Sequence, residues 1–243
     1  MNKKVFNALY SLLIIPYSLI ALTLLFSING CKDDQNIKPT SVTMNYISND
    51  VGKWIVYDVD SIYHLDNDSN TDNNVDTFHF QIKEVIDSMG IDGENQPIQN
   101  LTRYKRQNDT LPWNFLVRWT AKITATSYQK VEDNIRYIKL GFPITNSEQW
   151  DGNAFNTLGV ENYFYGAINQ AVSYGSFYFD STLTVVEGDS TIGFVNYPYG
   201  IEKYATGLGM YYHYYAAVDF FPGTTQIITG LQYTERINSH GHY

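Results

Sequence analysis

Between Trp113 and Ala125 the chain alternates: Trp113, Phe115, Val117, Trp119, Ala121 and Ile123 stand against Asn114, Leu116, Arg118, Thr120, Lys122 and Thr124. A side-chain period of two belongs to a strand with one covered and one wet face. The stretch is long, and long strands twist and coil, so the sheet containing it must curve strongly. The same period recurs at Asp76–Asp87, where Phe78, Phe80 and Ile82 oppose Thr77, His79, Gln81 and Lys83. Further strands are predicted at Lys53–Tyr63, Leu101–Arg106, Ile135–Leu140, Tyr163–Ile168, Phe177–Glu187, near Tyr204–Asp219 and at Gln226–Asn238. Gly90 with Gly93, and Tyr174-Gly175-Ser176-Phe177, supply turns, whereas Asp66–Asn74 and Gly141–Asn156 read as loops. No long 3.6-residue apolar stripe occurs, and only Val160–Tyr174 carries a faint signal for a short helix. With 21 Tyr, 13 Phe and 4 Trp, the chain is rich in side chains that suit a pleated, half-buried surface. The expectation is an all-β fold: an antiparallel, strongly curved sheet forming a barrel or half-barrel, with a two-sheet β-sandwich as the alternative.

The first 30 residues follow a different logic. Lys3 and Lys4 precede a largely apolar run from Val5 to Phe26, interrupted at Pro16, and Ser27–Gly30 are mostly small or polar. That is the tripartite pattern of a secretory signal peptide. Cys31, the only cysteine, follows directly. The segment before it resembles the lipobox of bacterial lipoproteins, with Ile28 at the aliphatic and Gly30 at the small position, while Asn29 departs from the usual residue between them. The resemblance implies cleavage before Cys31 and lipid attachment to its thiol. Two or more acyl chains anchor a protein stably where one does not. A retained membrane helix is the rival reading, since about 20 helical residues span a bilayer. Lys32, Asp33 and Asp34 resemble the short export signal that follows the lipidated cysteine in surface lipoproteins of the Bacteroidota. That implies the outer face of the outer membrane, with a solvated tether as the plain alternative.

Three segments follow: residues 1–30 as signal peptide, 31–49 as lipidated N-terminus and tether, and 50–243 as a single β-rich domain. The leader holds two lysines and no acid, so its removal takes the net charge from −9 to −11. Such a chain has no electrostatic footprint for nucleic acid and none for an anionic membrane surface. With no second cysteine there is no internal disulfide, and the domain must rely on its core.

No catalytic signature emerges, and no cofactor is implied. Asp66, Asp68, Asn70 and Asp72 alternate like oxygen ligands of a calcium loop, but Thr71 and Thr77 stand where that loop needs Gly and a bidentate Glu. A solvated Asn/Asp-rich loop fits better. His240 and His242 do not complete a zinc site, and His64, His79 and His213 lack helical metal spacing. Nothing resembles a Gly-x-Ser-x-Gly elbow. Carboxylates for glycoside hydrolysis are abundant, which is availability rather than evidence. Ser61, Ser88, Thr110, Ser181 and Ser190 sit in Asp–Ser/Thr triplets that resemble O-glycosylation acceptors of Bacteroidota. Asp-Ser pairs also begin turns, and either reading expects surface positions.

Phe142-Pro143-Ile144, Trp150–Asn156 and Glu202–Met210, the last carrying Tyr204-Ala205-Thr206-Gly207-Leu208-Gly209, resemble recurring segments of uncharacterised Bacteroidota lipoproteins. The resemblance implies a secreted β-rich domain and carries over no catalytic residue. The expected function is a non-enzymatic binding or envelope-scaffold domain, held to the membrane through Cys31 and meeting a glycan, a peptide or an envelope protein. An envelope hydrolase acting on glycan, with a carboxylate pair distant in sequence, is the alternative.

Overall fold

The computed structural model of the protein describes residues 45–65, 74–188 and 196–243. The leader, Cys31, Lys32, Asp33 and Asp34, the calcium-like Asp66, Asp68, Asn70 and Asp72, and Ser190 lie outside the described residues. Twelve strands form one antiparallel sheet: β1 (Lys53–His64), β2 (Val75–Ile91), β3 (Pro97–Arg106), β4 (Asn114–Ile123), β5 (Ser127–Glu132) and β6 (Ile135–Gly141), then β7 (Gln149–Asp151), β8 (Asn162–Tyr174), β9 (Phe177–Glu187), β10 (Asn196–Ala205), β11 (Gly209–Phe220) and β12 (Ile227–His242). The spatial order is β6-β5-β4-β3-β2-β1-β12-β11-β10-β9-β8-β7, so each strand lies beside its neighbours in sequence and β1 pairs with β12. The sheet curls until its two ends meet. Ile138 N–H of β6 donates to Gly152 O just past β7 at 2.9 Å, and the Trp150 indole N–H donates to Ile138 O at 2.8 Å. This is a nearly closed up-and-down barrel, in which the edge strands cover each other.

Local chemistry explains the turns. Glu132 pairs with Ile135 across Asp133 and Asn134, both at positive φ, and short Asp/Asn side chains tolerate that conformation in a two-residue hairpin. Tyr174 pairs with Phe177 across Gly175, whose φ of 58° avoids the penalty a Cβ would bring. The faint helical signal at Val160–Tyr174 is overridden: that stretch is mostly β8, whose bulges break a clean alternation. Two further strands arise where alternation was too short to read, β5 and the three-residue β7. The region near Tyr204–Asp219 holds the end of β10, a turn at Thr206–Leu208, and β11. The regular face expected for β4 is also broken. A register shift beside Tyr104 leaves Phe115 against that ring and 64% exposed, while Val117, Trp119 and Ala121 follow the inner face of β3.

One end of the barrel is closed. Asn45–Asn49 crosses it, with Asn45 O accepting from Gly207 N–H at 2.6 Å and Ser48 O accepting from the Gln99 amide at 2.6 Å. Tyr46 is buried among Leu101, Tyr128, Leu140, Tyr165, Leu183 and Val185. The tip of the β8–β9 hairpin runs past the β9–β10 pairing, and Tyr174 and Phe179 pack on Tyr211 of β11. The other end is open.

Candidate functional site

The cross-strand register brings residues far apart in sequence onto the same inner wall. Tyr57 faces Ile82, Glu84 faces Arg103, Ala121 faces Lys130, Val185 faces Glu202, and Glu202 and Glu235 both face His213. Towards the open end these walls enclose a cavity of about 760 Å³, bordered by Phe80, Lys105, Val117, Trp119, His213 and Tyr233, among others. That is within the ordinary size range of small-ligand pockets.

The cavity floor is charged. Arg103 binds Glu235 through Nη2 and lies 3.5 Å from Glu84 through Nε. Lys130 Nζ lies 3.0 Å from Glu84 and 3.7 Å from Glu132. Lys139 Nζ reaches Glu202 at 2.8 Å, Glu187 at 3.3 Å and Glu132 at 3.8 Å. Tyr233 donates to Glu235 at 2.6 Å and Tyr204 to Glu202 at 2.5 Å. The Arg103 guanidinium stacks 4.2 Å above the Trp119 ring, with Lys130 Nζ at 4.8 Å. Removing one partner from such a network strands a buried charge, so the groups are mutually dependent. Lys105 differs: it borders the cavity, rests 3.7 Å from the Phe80 ring centre, and forms no ion pair with a described residue.

Burial and neighbours divide the glutamates. Burial pushes Glu187 up to about 8, with the Glu202 charge adding to it against Lys139. Burial would also raise Glu202, Glu235 and Glu132, but the cations beside them win and hold all three below the usual carboxylate range: Lys139 for Glu202 and Glu132, Arg103 for Glu235. Burial lowers His213, keeping its imidazole neutral near pH 7. Lys130 and Lys139 stay charged despite burial because of the same glutamates.

Glu187, Glu202 and His213 each place one donor atom within 4.8 Å of the others, a set able to hold a cation. Sequence reasoning missed this set. Their separations carry no motif, and only the β9–β10–β11 register brings them together. His79, by contrast, bonds Asp60 on the outer wall, and His240 lies against Phe177.

The proposed glycan acceptors scatter. Thr110 is exposed in the β3–β4 turn. Ser88 accepts from the Asn100 amide at 3.0 Å, and Ser181 is 2.7 Å from the Tyr46 hydroxyl and 2.8 Å from Asn169 Oδ1. Ser61 overturns the surface expectation: it lies on the inner face of β1 and is 5% exposed, because the alternation that buries Tyr57 and Val59 buries it too. An outer aromatic face exists where Trp54, Trp113 and Tyr243 surround Lys83, at 5.3, 5.8 and 4.8 Å, with Arg106 on Trp113 at 4.3 Å. These rings already meet cations of the chain itself.

No protein-family model matches the chain, and no curated protein matches it. Two solved structures are similar to it. One is a protein assigned as exported, with a YmcC-like fold, from Bacteroides fragilis NCTC 9343: TM-score 0.45, 9% identity, covering 80% of this chain and 98% of that one. The other is a protein assigned as a lipoprotein from Parabacteroides distasonis ATCC 8503: TM-score 0.39, 7% identity, covering 81% of this chain and 98% of that one. No residue role passes from either to this chain.

Proposed function

We propose that the chain is a lipid-anchored envelope protein, displayed on the outer membrane surface, whose barrel binds a small polar ligand without transforming it. The observation that carries the binding half is the 760 Å³ cavity at the open end, walled by both aromatic and charged side chains. An apolar ligand would bury these charges without replacing their water, which costs several kcal/mol per ion. A ligand with an anionic group, such as a short peptide, fits better, because Lys105 offers an ammonium free of carboxylate at the rim. A hydrolase is less well supported. The raised Glu187 and the lowered Glu202 are bridged by Lys139, and the glutamates bordering the cavity are all held ionised. The anchor half rests on the leader, Cys31 and the Lys32-Asp33-Asp34 start.

The binding test is saturation-transfer NMR with a panel of di- and tripeptides, run on the parent chain and on Val117→Trp, which fills the cavity. Signals from the parent that vanish in Val117→Trp support the reading. Equal signals in both, or none from the parent, contradict it. For the anchor, Cys31→Ala should abolish labelling by a fatty-acid analogue, and undiminished label would refute lipidation. Alanine at Lys32, Asp33 and Asp34 should leave the label but reduce protease shaving of whole cells; equal shaving would make those residues plain tether.

A further inference from the structure

The geometry points to a binding site for one divalent transition-metal ion, zinc by its ligand chemistry, held by Glu187, Glu202 and His213 on the inner wall of the barrel. Three independent features lead there. The first is the ligand set, whose donor atoms lie within 4.8 Å of one another on three adjacent strands. Two carboxylates and an imidazole suit zinc and its neighbours in the first transition row, whereas calcium takes oxygen ligands alone. The second is the imidazole. His213 sits deep in the barrel at the cavity wall, touches Tyr233 edge-on, and neither ring nitrogen has a hydrogen bond to a described residue. The ring lines the open cavity and no described protein group occupies its nitrogens, so one of them is available to a ligand entering from that side. The third is charge. Among the described residues, Glu84, Glu132, Glu187, Glu202 and Glu235 face Arg103, Lys130 and Lys139 in one continuous network, so five carboxylates meet three permanent cations. Burial keeps Glu187 protonated in the network without an ion, and a divalent ion that displaces that proton balances five carboxylates against three cations.

The backbone makes room for the set. Gly200 lies opposite Glu187, and a Cβ there would come within 2.6 Å of Glu187 Oε2. The missing side chain is what lets that carboxylate lean along the wall. His213 and Glu202 border the cavity, so the ion's remaining position opens to water or to a bound ligand, as in three-ligand zinc sites.

Lys139 competes for the same carboxylates. When the metal enters, its ammonium keeps Glu132, 3.8 Å away, and gives up Glu187 and Glu202. The site is therefore a place where an internal ammonium and an external cation exchange. This inference does not depend on the cavity also taking an organic ligand.

The test is equilibrium dialysis and calorimetry with zinc chloride, in a Cys31→Ser chain so that no thiol contributes, with calcium chloride as comparison. One zinc per chain is expected, with calcium at least ten-fold weaker. His213→Ala and Glu187→Gln should each weaken zinc at least ten-fold. Lys139→Met should bind zinc more tightly than the parent, and its melting temperature should rise more on zinc addition. No stoichiometric zinc, zinc binding indifferent to His213→Ala and Glu187→Gln, or binding abolished by His240→Ala with His242→Ala would each overturn the site. Should the wall variants fail to fold, manganese broadening of histidine resonances in the Cys31→Ser chain decides. Selective broadening of His213 upholds the site, and broadening confined to His240 and His242 overturns it.

Discussion

At the end crossed by Asn45–Asn49 the barrel is dry: Leu140, Leu183 and Val185 have no exposure, and Tyr46 closes over them. A short way along the same strands the filling changes. Val185 is followed by Glu187, Tyr204 is preceded by Glu202, and Leu101 is followed by Arg103, all on the inner face. One sheet thus carries two interiors, an apolar plug that supplies cohesion and a charged floor beneath an open cavity. The difference teaches that the strand period determines which side chains point inward, while their chemistry determines whether the inside is a core or a site.

The largest expected effect lies in the plug. Leu183→Ala should destabilise the fold by about 3–5 kcal/mol in denaturant melts, because a fully packed side chain leaves a cavity. Val117→Ala, on the cavity wall, should cost about 1 kcal/mol or less, since its side chain already borders open space. Equal costs would erase the distinction between the two ends. Next comes the floor. Glu235→Ala removes the partner that Arg103 holds most closely and should cost about 3 kcal/mol, with much of the loss recovered when Arg103 is changed to Met as well.

A smaller effect follows pH, measured with EDTA present. Glu187 is held at about 8 against 4.5 in the unfolded chain, so its contribution falls as pH rises from 4.5 to 8. His213 is held below 6.5, and its contribution is lost as pH falls through that region, which offsets Glu187 there. Above pH 6.5 Glu187 acts alone. Stability should therefore decline by on the order of 1–2 kcal/mol between pH 6.5 and 8, at most about 1.4 kcal/mol per pH unit for one proton. Below about 4.5 the ionised Glu132, Glu202 and Glu235 take up protons and stability falls again. Glu187→Gln should flatten the alkaline decline; a parent curve already flat from 6.5 to 8 would contradict the account of Glu187. The smallest effect is Tyr46→Phe, which deletes a hydroxyl 2.7 Å from Ser181 and should cost about 1 kcal/mol in the same melts.

Much of the fold was legible because one physical signal, period two, repeats in the sequence of Asp76–Asp87, Trp113–Ala125 and Phe177–Glu187, which fall largely in β2, β4 and β9. β7 escaped because three residues cannot show a period, and β8 was read only over Tyr163–Ile168 because its bulges at Tyr165–Ala167, Ile168–Gln170 and Gln170–Val172 interrupt the rest. The site was not legible. Glu187, Glu202 and His213 look like ordinary polar positions until the pairing of β9, β10 and β11 sets them side by side. Ser61 shows the same blindness in reverse: its triplet read as a turn or a surface acceptor, while the flanking alternation of β1 had already turned it inward.

The claim that one barrel has a dry end and a wet end can be read directly by cysteine accessibility. The chain from Gln35 onward carries every described residue and no cysteine. Val117→Cys and Leu183→Cys, introduced singly, can be exposed to a small maleimide under native conditions and compared with the denatured chain. Val117→Cys should react readily while folded, and Leu183→Cys should be protected by at least a hundred-fold. Comparable native reactivity at the two positions, or protection of both, would contradict the division of the interior.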